Sequence, residues 1–192
     1  MFAMSGDAIR AERLKKLDVL RAAGMDPYPS HSEVDVTIRD FIQNFETHEK
    51  RGDVQTIGGR IMSLRGQGGI VFADVFDGTQ KAQLVYQEEG TDKALFDLFV
   101  NAVDIGDFIQ ADVAAYKTKR GVLSMKIQSW KMLAKSLMPI PSEWYGLKDQ
   151  ELKLRQRYLD ILLNEDVRAM FERRAQFWQA IRKFYLDRQA FQ

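Results

Sequence analysis

From residue 7 to residue 23 the chain is built of good helix formers, with Leu14, Leu17 and Leu20 spaced to lay an apolar stripe on one helical face. Gly24 ends the pattern. The run Asp26-Pro27-Tyr28-Pro29-Ser30 cannot continue a helix, because each proline lacks an amide donor and disfavours helical geometry in the residue before it. An extended connector is therefore expected. A second short helix is predicted over residues 38–45, and the polar run 48–53 reads as a loop.

Between residues 54 and 134 the period changes to that of strands separated by turn residues. A first strand is expected at 54–64, with Arg65 opening a glycine-rich turn, Arg65-Gly66-Gln67-Gly68-Gly69, into a second strand at 70–76. Asp77-Gly78 supplies the positive backbone dihedrals of a tight turn, and a third strand at 81–87 emerges from it. Residues 91–103 break the sequence of strands. Leu95, Phe96, Leu98 and Phe99 fall on one helical stripe there, so this segment is read as a helix plugging an open barrel end. Two strands remain, 107–118 and 122–133, joined across Lys119-Arg120-Gly121. Three meandering strands, a helix and two closing strands spell an OB-fold, whose face and loops bind oligonucleotides in many proteins.

After the barrel, Met138-Pro139-Ile140-Pro141 reads as a stiff linker, followed by a pair of helices at 149–163 and 166–188. The second carries Val167, Met170, Phe171, Trp178, Ile181, Phe184 and Tyr185 on one apolar face, and Phe171, Trp178 and Phe184 are expected to lack a full set of packing partners. The fold class is thus α+β: a five-stranded OB-fold β-barrel with an N-terminal helix and a C-terminal helix pair. The domains are read as an extension at 1–53, the barrel at 54–135, a linker at 136–150 and a helical segment at 151–192.

Composition narrows the function classes without naming one. The chain is 45% hydrophobic, has no cysteine and two histidines, His31 and His48, so neither a disulfide framework nor a thiolate or histidine metal site is expected. No apolar run approaches the length of a membrane span, and the N-terminus lacks a signal-peptide pattern, which places the chain in the cytoplasm with no membrane partner. A net charge of +1 does not by itself indicate RNA. Residues 151–188 carry nine Lys and Arg against six Asp and Glu, a surplus that fits a solvated helix face. The cluster Gly66-Gln67-Gly68-Gly69 is no phosphate loop: it joins two strands, lacks lysine followed by serine or threonine, and opens no helix.

Several stretches resemble the class II lysyl-tRNA synthetase family. They are the opening Arg13-Leu14-Lys15-Lys16-Leu17 with Gly24-Met25-Asp26-Pro27-Tyr28-Pro29, and the barrel runs Gly59-Arg60-Ile61-Met62-Ser63, Phe72-Ala73-Asp74-Val75-Phe76-Asp77-Gly78 and Gln83-Leu84. After the barrel come Lys135-Ser136-Leu137-Met138-Pro139-Ile140-Pro141, Trp144-Tyr145-Gly146-Leu147-Lys148-Asp149 and Leu154-Arg155-Gln156-Arg157-Tyr158-Leu159-Asp160. The chain departs from the pattern at Met138, Tyr145 and Leu154, where arginine, histidine and an aromatic are usual. The resemblance implies an anticodon-binding module whose partner is the tRNA-Lys anticodon loop. It implies a parent homodimer that attaches lysine to tRNA with ATP and Mg2+. It also makes 151–192 the truncated start of a class II catalytic domain. Nothing here matches the arginine-bearing second and third motifs, so no catalytic residue and no cofactor are assigned to this chain, which is expected to be inactive alone.

The resemblance also assigns RNA contacts. Phe72 is the candidate platform for a stacked base, since Val71, Ala73 and Val75 share one strand face and Phe72, Asp74 and Phe76 the other. As an isolated phenylalanine it is equally a core residue. Gln83 offers an amide donor and acceptor to a uracil edge, or is a solvated strand residue. Arg65 is a candidate for a base or phosphate contact, and Arg60 for a weaker one. Lys117 and Lys119, with Arg120, crowd the last hairpin and can hold phosphates or form an ordinary solvated tip. Arg155 and Arg157, two apart on a helix, face different ways and fit a junction salt bridge better than RNA. Two other readings stay open: a stand-alone nucleic-acid-binding OB protein, and a protein-interaction module working through the apolar helix 166–188.

Overall fold

A computed structural model describes residues 6–141 and 149–188, and the chain divides into two compact units, Met1–Pro139 and Ile140–Gln192. In the first unit, helix α1 spans Gly6–Ala22 and buries Leu17 and Leu20. Leu14, expected on the same stripe, is 41% exposed, and Arg13 is buried in its place. That guanidinium donates to the carbonyls of Ile105 (2.9 Å), Ser136 (2.9 Å) and Met138 (3.0 Å), so its burial leaves no charge without acceptors.

Helix α2, Ile38–Gln43, is followed at once by α3, Phe45–Arg51, which continues helical through residues 48–51 where the polar run predicts a loop. Its polar residues conceal three local stabilisers. Phe45 is buried, His48 stacks on Phe41 with ring centroids 4.7 Å apart, and Gly52 ends the helix at φ 63°.

Five strands close into a barrel in the order β1-β2-β3-β5-β4: β1 Val54–Gln67, β2 Ile70–Phe76, β3 Lys81–Gln87, β4 Phe108–Lys117 and β5 Leu123–Ala134. The ring depends on β1 being long. Its first half, Val54 to Arg60, pairs with β4, and its second half, Arg60 to Gln67, pairs with β2. The register slips between Ile61 and Ser63, where the strand turns from one partner to the other. At Gly59 a Cβ would lie 2.6 Å from a Val75 methyl, so glycine permits the close packing just before that turn. Arg65 therefore sits in a strand, not in a loop as expected, and the turn is confined to Gly68 and Gly69.

Helix α4, Lys93–Ala102, contributes Phe96, Phe99 and Ala102 to the core. Phe96 and Phe99 each meet Tyr86 with centroids 5.2 Å apart, and Phe99 meets Trp130 edge-on at 5.1 Å. Beside its C-terminus lies a buried ionic cluster. Lys135, whose side chain has no exposed surface, donates to Asp104 (2.6 Å), Asp107 (2.7 Å) and the Ala102 carbonyl (2.7 Å). Burial pushes the Asp107 carboxyl above the ordinary range against the pull of Lys135.

In the second unit the expected pair of helices is three. The segment 149–163 breaks at Gln156 into α5, Gln150–Arg155, and α6, Arg157–Leu163. Helix α7, Glu165–Asp187, is capped by the Asn164 side chain. Trp178 is 62% and Phe184 49% exposed, while Phe171 is half-buried. Arg155 pairs with Glu151 and Arg157 with the buried Asp160, each at 2.7 Å. The linker residues Trp144, Tyr145, Gly146, Leu147 and Lys148 lie outside the described residues. No helix among the described residues is long and apolar enough to cross a membrane.

Two stability predictions follow from these contacts. Lys135→Met leaves Asp107 buried without its cation and should cost about 3–5 kcal/mol in urea unfolding. Adding Asp107→Asn should recover part of that loss. Burial would raise the Asp77 pKa, but donors from Ile38, Thr79 and Gln80 outweigh it and hold the carboxyl below its usual value. Its contribution is thus complete above the ordinary aspartate value and is lost as pH falls through that value to the lowered one. Asp77→Asn should cost about 1–2 kcal/mol at neutral pH and flatten the acid limb of the stability curve.

Candidate nucleic-acid interface

The barrel strands alternate strictly along β2: Val71, Ala73 and Val75 are buried, while Ile70, Phe72, Asp74 and Phe76 are half-buried on the outer face. Phe72 is flanked across the sheet by Arg65 on β1 and Val85 on β3. One step along, Asp74 lies between Ser63 and Gln83, and Gln83 faces Ser124 on β5. Antiparallel pairing thus sets Arg65, Phe72 and Gln83 side by side on one outer surface.

A groove of about 640 Å³ opens over that surface, and Arg65, Phe72, Gln83, Tyr116, Lys119 and Arg120 line it. The last three come from the end of β4 and the β4–β5 hairpin, which folds along one side of the sheet face. Two aromatic rings, an amide and three cationic side chains therefore border one cleft. This is the set of groups that single-stranded nucleic acid engages: a π-face for a base, an amide for its edge and positive charge for phosphate.

Two neighbours hold these groups in place. Arg65 Nη2 stands 3.5 Å from Asp74 Oδ2, and Asp74 in turn accepts from the Ser63 hydroxyl. Gln83 accepts at Oε1 from the Ser124 hydroxyl at 2.9 Å.

The other two candidates lie elsewhere. Arg60 does not line the groove; its guanidinium sits 4.1 Å from the Phe108 ring centroid and donates to the Gly106 carbonyl at 3.1 Å. Burial pulls its pKa down, opposed by Asp107. Lys117 is also outside the groove lining, with Nζ 3.6 Å from Glu49 on α3. Two residues at or beneath the groove carry no local signal in the sequence. Tyr116, which lines the groove, shows only its place in a strand, and Ser124, buried against Gln83, is one polar residue in an otherwise ordinary strand run. Among the described residues no group of three or more His, Cys, Asp or Glu could hold a metal ion.

Residues 55–133 match the family of the tRNA anti-codon OB-fold nucleic acid binding domain. The chain is 40% identical over 179 residues to a lysine–tRNA ligase of Pelotomaculum thermopropionicum, covering 93% of this chain and 35% of that protein. Lysine–tRNA ligases of Clostridium perfringens and Thermotoga maritima are 40% and 33% identical over 185 and 184 residues, with 93% of this chain covered in both. The chain spans about a third of the length of these curated relatives.

The outward placement of Phe72 has a thermodynamic consequence. Phe99→Ala, which empties part of the packed core, should cost about 3–5 kcal/mol. Phe72→Ala should cost no more than about 1 kcal/mol, as for a surface substitution. Parallel thermal or urea unfolding of the two variants measures the difference, and equal losses would return Phe72 to the core.

Proposed function

We propose that the groove of this chain holds the anticodon loop of tRNA-Lys, a reading supported by the match of its barrel to the anti-codon OB-fold family and by its likeness to lysine–tRNA ligases. The convergence of Arg65, Phe72 and Gln83 on one outer sheet face supports this reading most directly. In it, an unpaired base stacks on Phe72, the Gln83 amide meets the edge of a uracil, and Arg65 reaches a base or phosphate. Lys119 and Arg120 draw in the phosphate backbone from the hairpin side, and Lys117 and Arg60 add charge farther from the groove.

The parent reaction assigned is the ATP-dependent attachment of lysine to tRNA-Lys by a cytoplasmic homodimer. ATP and Mg2+ serve that reaction, and no residues of this chain match the arginine-bearing motifs that hold the nucleotide. These 192 residues should therefore show no lysine-dependent ATP–pyrophosphate exchange in a preparation free of host synthetase. Measurable exchange would overturn that assignment.

Binding of synthetic anticodon stem-loops at fixed salt tests the groove itself, since the phosphate contribution shifts all affinities together. Every base has a π-face. Phe72→Ala should therefore weaken all loops by about 1–3 kcal/mol without reordering them. Gln83→Ala should instead reduce the preference for a UUU loop over one with a central cytosine. Unchanged binding of every loop by Phe72→Ala would show that the RNA face lies elsewhere.

A further inference from the structure

The strand register carries the outer face of the barrel past Gln83. Gln83 on β3 pairs with Ser124 on β5, and Ser124 pairs with Tyr116 on β4, so the three side chains form one row on the same surface. The middle member is small and fully buried. The row therefore sinks at Ser124 and rises on either side of it, where Gln83 and Tyr116 line the groove.

Phe72 and Tyr116 are alike in the contacts they do not make. In the other strand positions, Tyr86 and Trp130 meet rings in the core, and Phe108 lies under the Arg60 guanidinium. Among the described residues, neither Phe72 nor Tyr116 meets a second ring or a cation, yet both are half-buried and both line the groove. Tyr116 makes no hydrogen bond to any described residue either, and its hydroxyl is not buried. Each ring thus keeps a face for a planar ligand. Phe72 stands on β2 and Tyr116 on β4, and the groove passes from one to the other over β3 and β5, so the rings offer separate faces. Charge lies close to the second of them: Lys119 and Arg120 follow Tyr116 by three and four residues and line the groove with it. A nucleotide whose base covers Tyr116 has those cations beside its phosphate.

We propose that Tyr116 is a second stacking residue: the groove holds two unpaired bases of the loop, one on Phe72 and a neighbouring one on Tyr116, with Gln83 on a strand between them. This rests on the anticodon reading of the groove and adds a second base to it.

The test measures, at fixed salt, the affinity of the 192-residue chain for a UUU stem-loop and for versions of it that each lack one anticodon base. Tyr116→Leu keeps apolar bulk but removes the ring, and it should weaken the intact loop roughly five- to hundredfold, as the loss of one stacked base does. Tyr116→Phe keeps the π-face and should bind within about twofold of the wild type. One missing base should cancel the effect of Tyr116→Leu, and a different missing base should cancel that of Phe72→Ala. Unchanged binding of the intact loop by Tyr116→Leu overturns the proposal. So does a loss that persists whichever base is missing, because no base would then be lying on the ring. Cancellation of both variants by the same missing base also overturns it, since the two rings would be clasping one base. If Tyr116→Leu unfolds below the assay temperature, Tyr116→Thr, a strand-favouring residue without a ring, replaces it and is judged by the same outcomes. A wild-type chain that binds no loop, or Phe72→Ala that leaves every loop unchanged, refutes the groove reading and this proposal with it. The expected behaviour of Phe72→Ala beside a silent Tyr116→Leu refutes the second platform alone.

Discussion

One strand that pairs twice organises this barrel. Strand β1 gives its first half to β4 and its second to β2, so closure requires fourteen residues where a single pairing would need about half as many. Once the ring is closed, every strand has an inside that must be filled with apolar side chains and an outside that need not be. Ile57, Ile61, Val75, Leu84, Val113 and Ile127 fill the inside. The second half of β1 is what carries Arg65 into register with Phe72, so the groove depends on the same pairing that shuts the barrel.

The cluster around Lys135 solves a different problem at the barrel's end. An ammonium without exposed surface is costly unless each of its three N–H donors finds an oxygen, and here each does. Those oxygens come from the end of α4 and from the loop leading into β4, while Lys135 itself follows β5. Arg13 and Tyr28 add bonds from the N-terminal segment to carbonyls of the same region, Tyr28 through the Lys135 carbonyl at 2.8 Å. Removing one charge alone would leave its partner buried and unpaired, so the cluster ties the residues of α4, the loop before β4 and the end of β5 into one arrangement.

What could be read in the sequence followed the period-two alternation and the turn chemistry. Strands β2 and β3 begin and end where Asp77-Gly78 and the flanking apolar alternation place them, and the outward face of Phe72 followed from its sharing a parity with Asp74. The misreadings arose where tertiary contacts overrode local composition. Residues 48–51 look like loop because they are polar, yet they continue a helix anchored by Phe45 and by the stacking of His48 on Phe41. Arg65-Gly66-Gln67 look like turn because of their glycine, yet pairing with β2 draws them into the strand. Nothing local marks Arg13 for burial, because its acceptors, the carbonyls of residues 105, 136 and 138, are about a hundred positions away. Ser124 was illegible for the same reason, since nothing local reveals that residue 83 will lie beside it.

The division of labour proposed across the groove follows from how sharply each kind of interaction depends on geometry. Attraction between a lysine and a phosphate falls slowly with distance and has no required angle, so Lys119 and Arg120 can work from a hairpin tip. Stacking needs a ring of fixed plane but is indifferent to which base covers it, and a strand residue held on both sides by its neighbours, as Phe72 is by Arg65 and Val85, meets that need. Hydrogen-bond discrimination between two pyrimidines needs the orientation of a single amide, the most demanding requirement of the three. That group sits on β3, paired on one side with β2 and on the other with β5, and its oxygen accepts from a buried serine hydroxyl. In the proposed reading, selectivity falls to Gln83, which is held between two neighbouring strands.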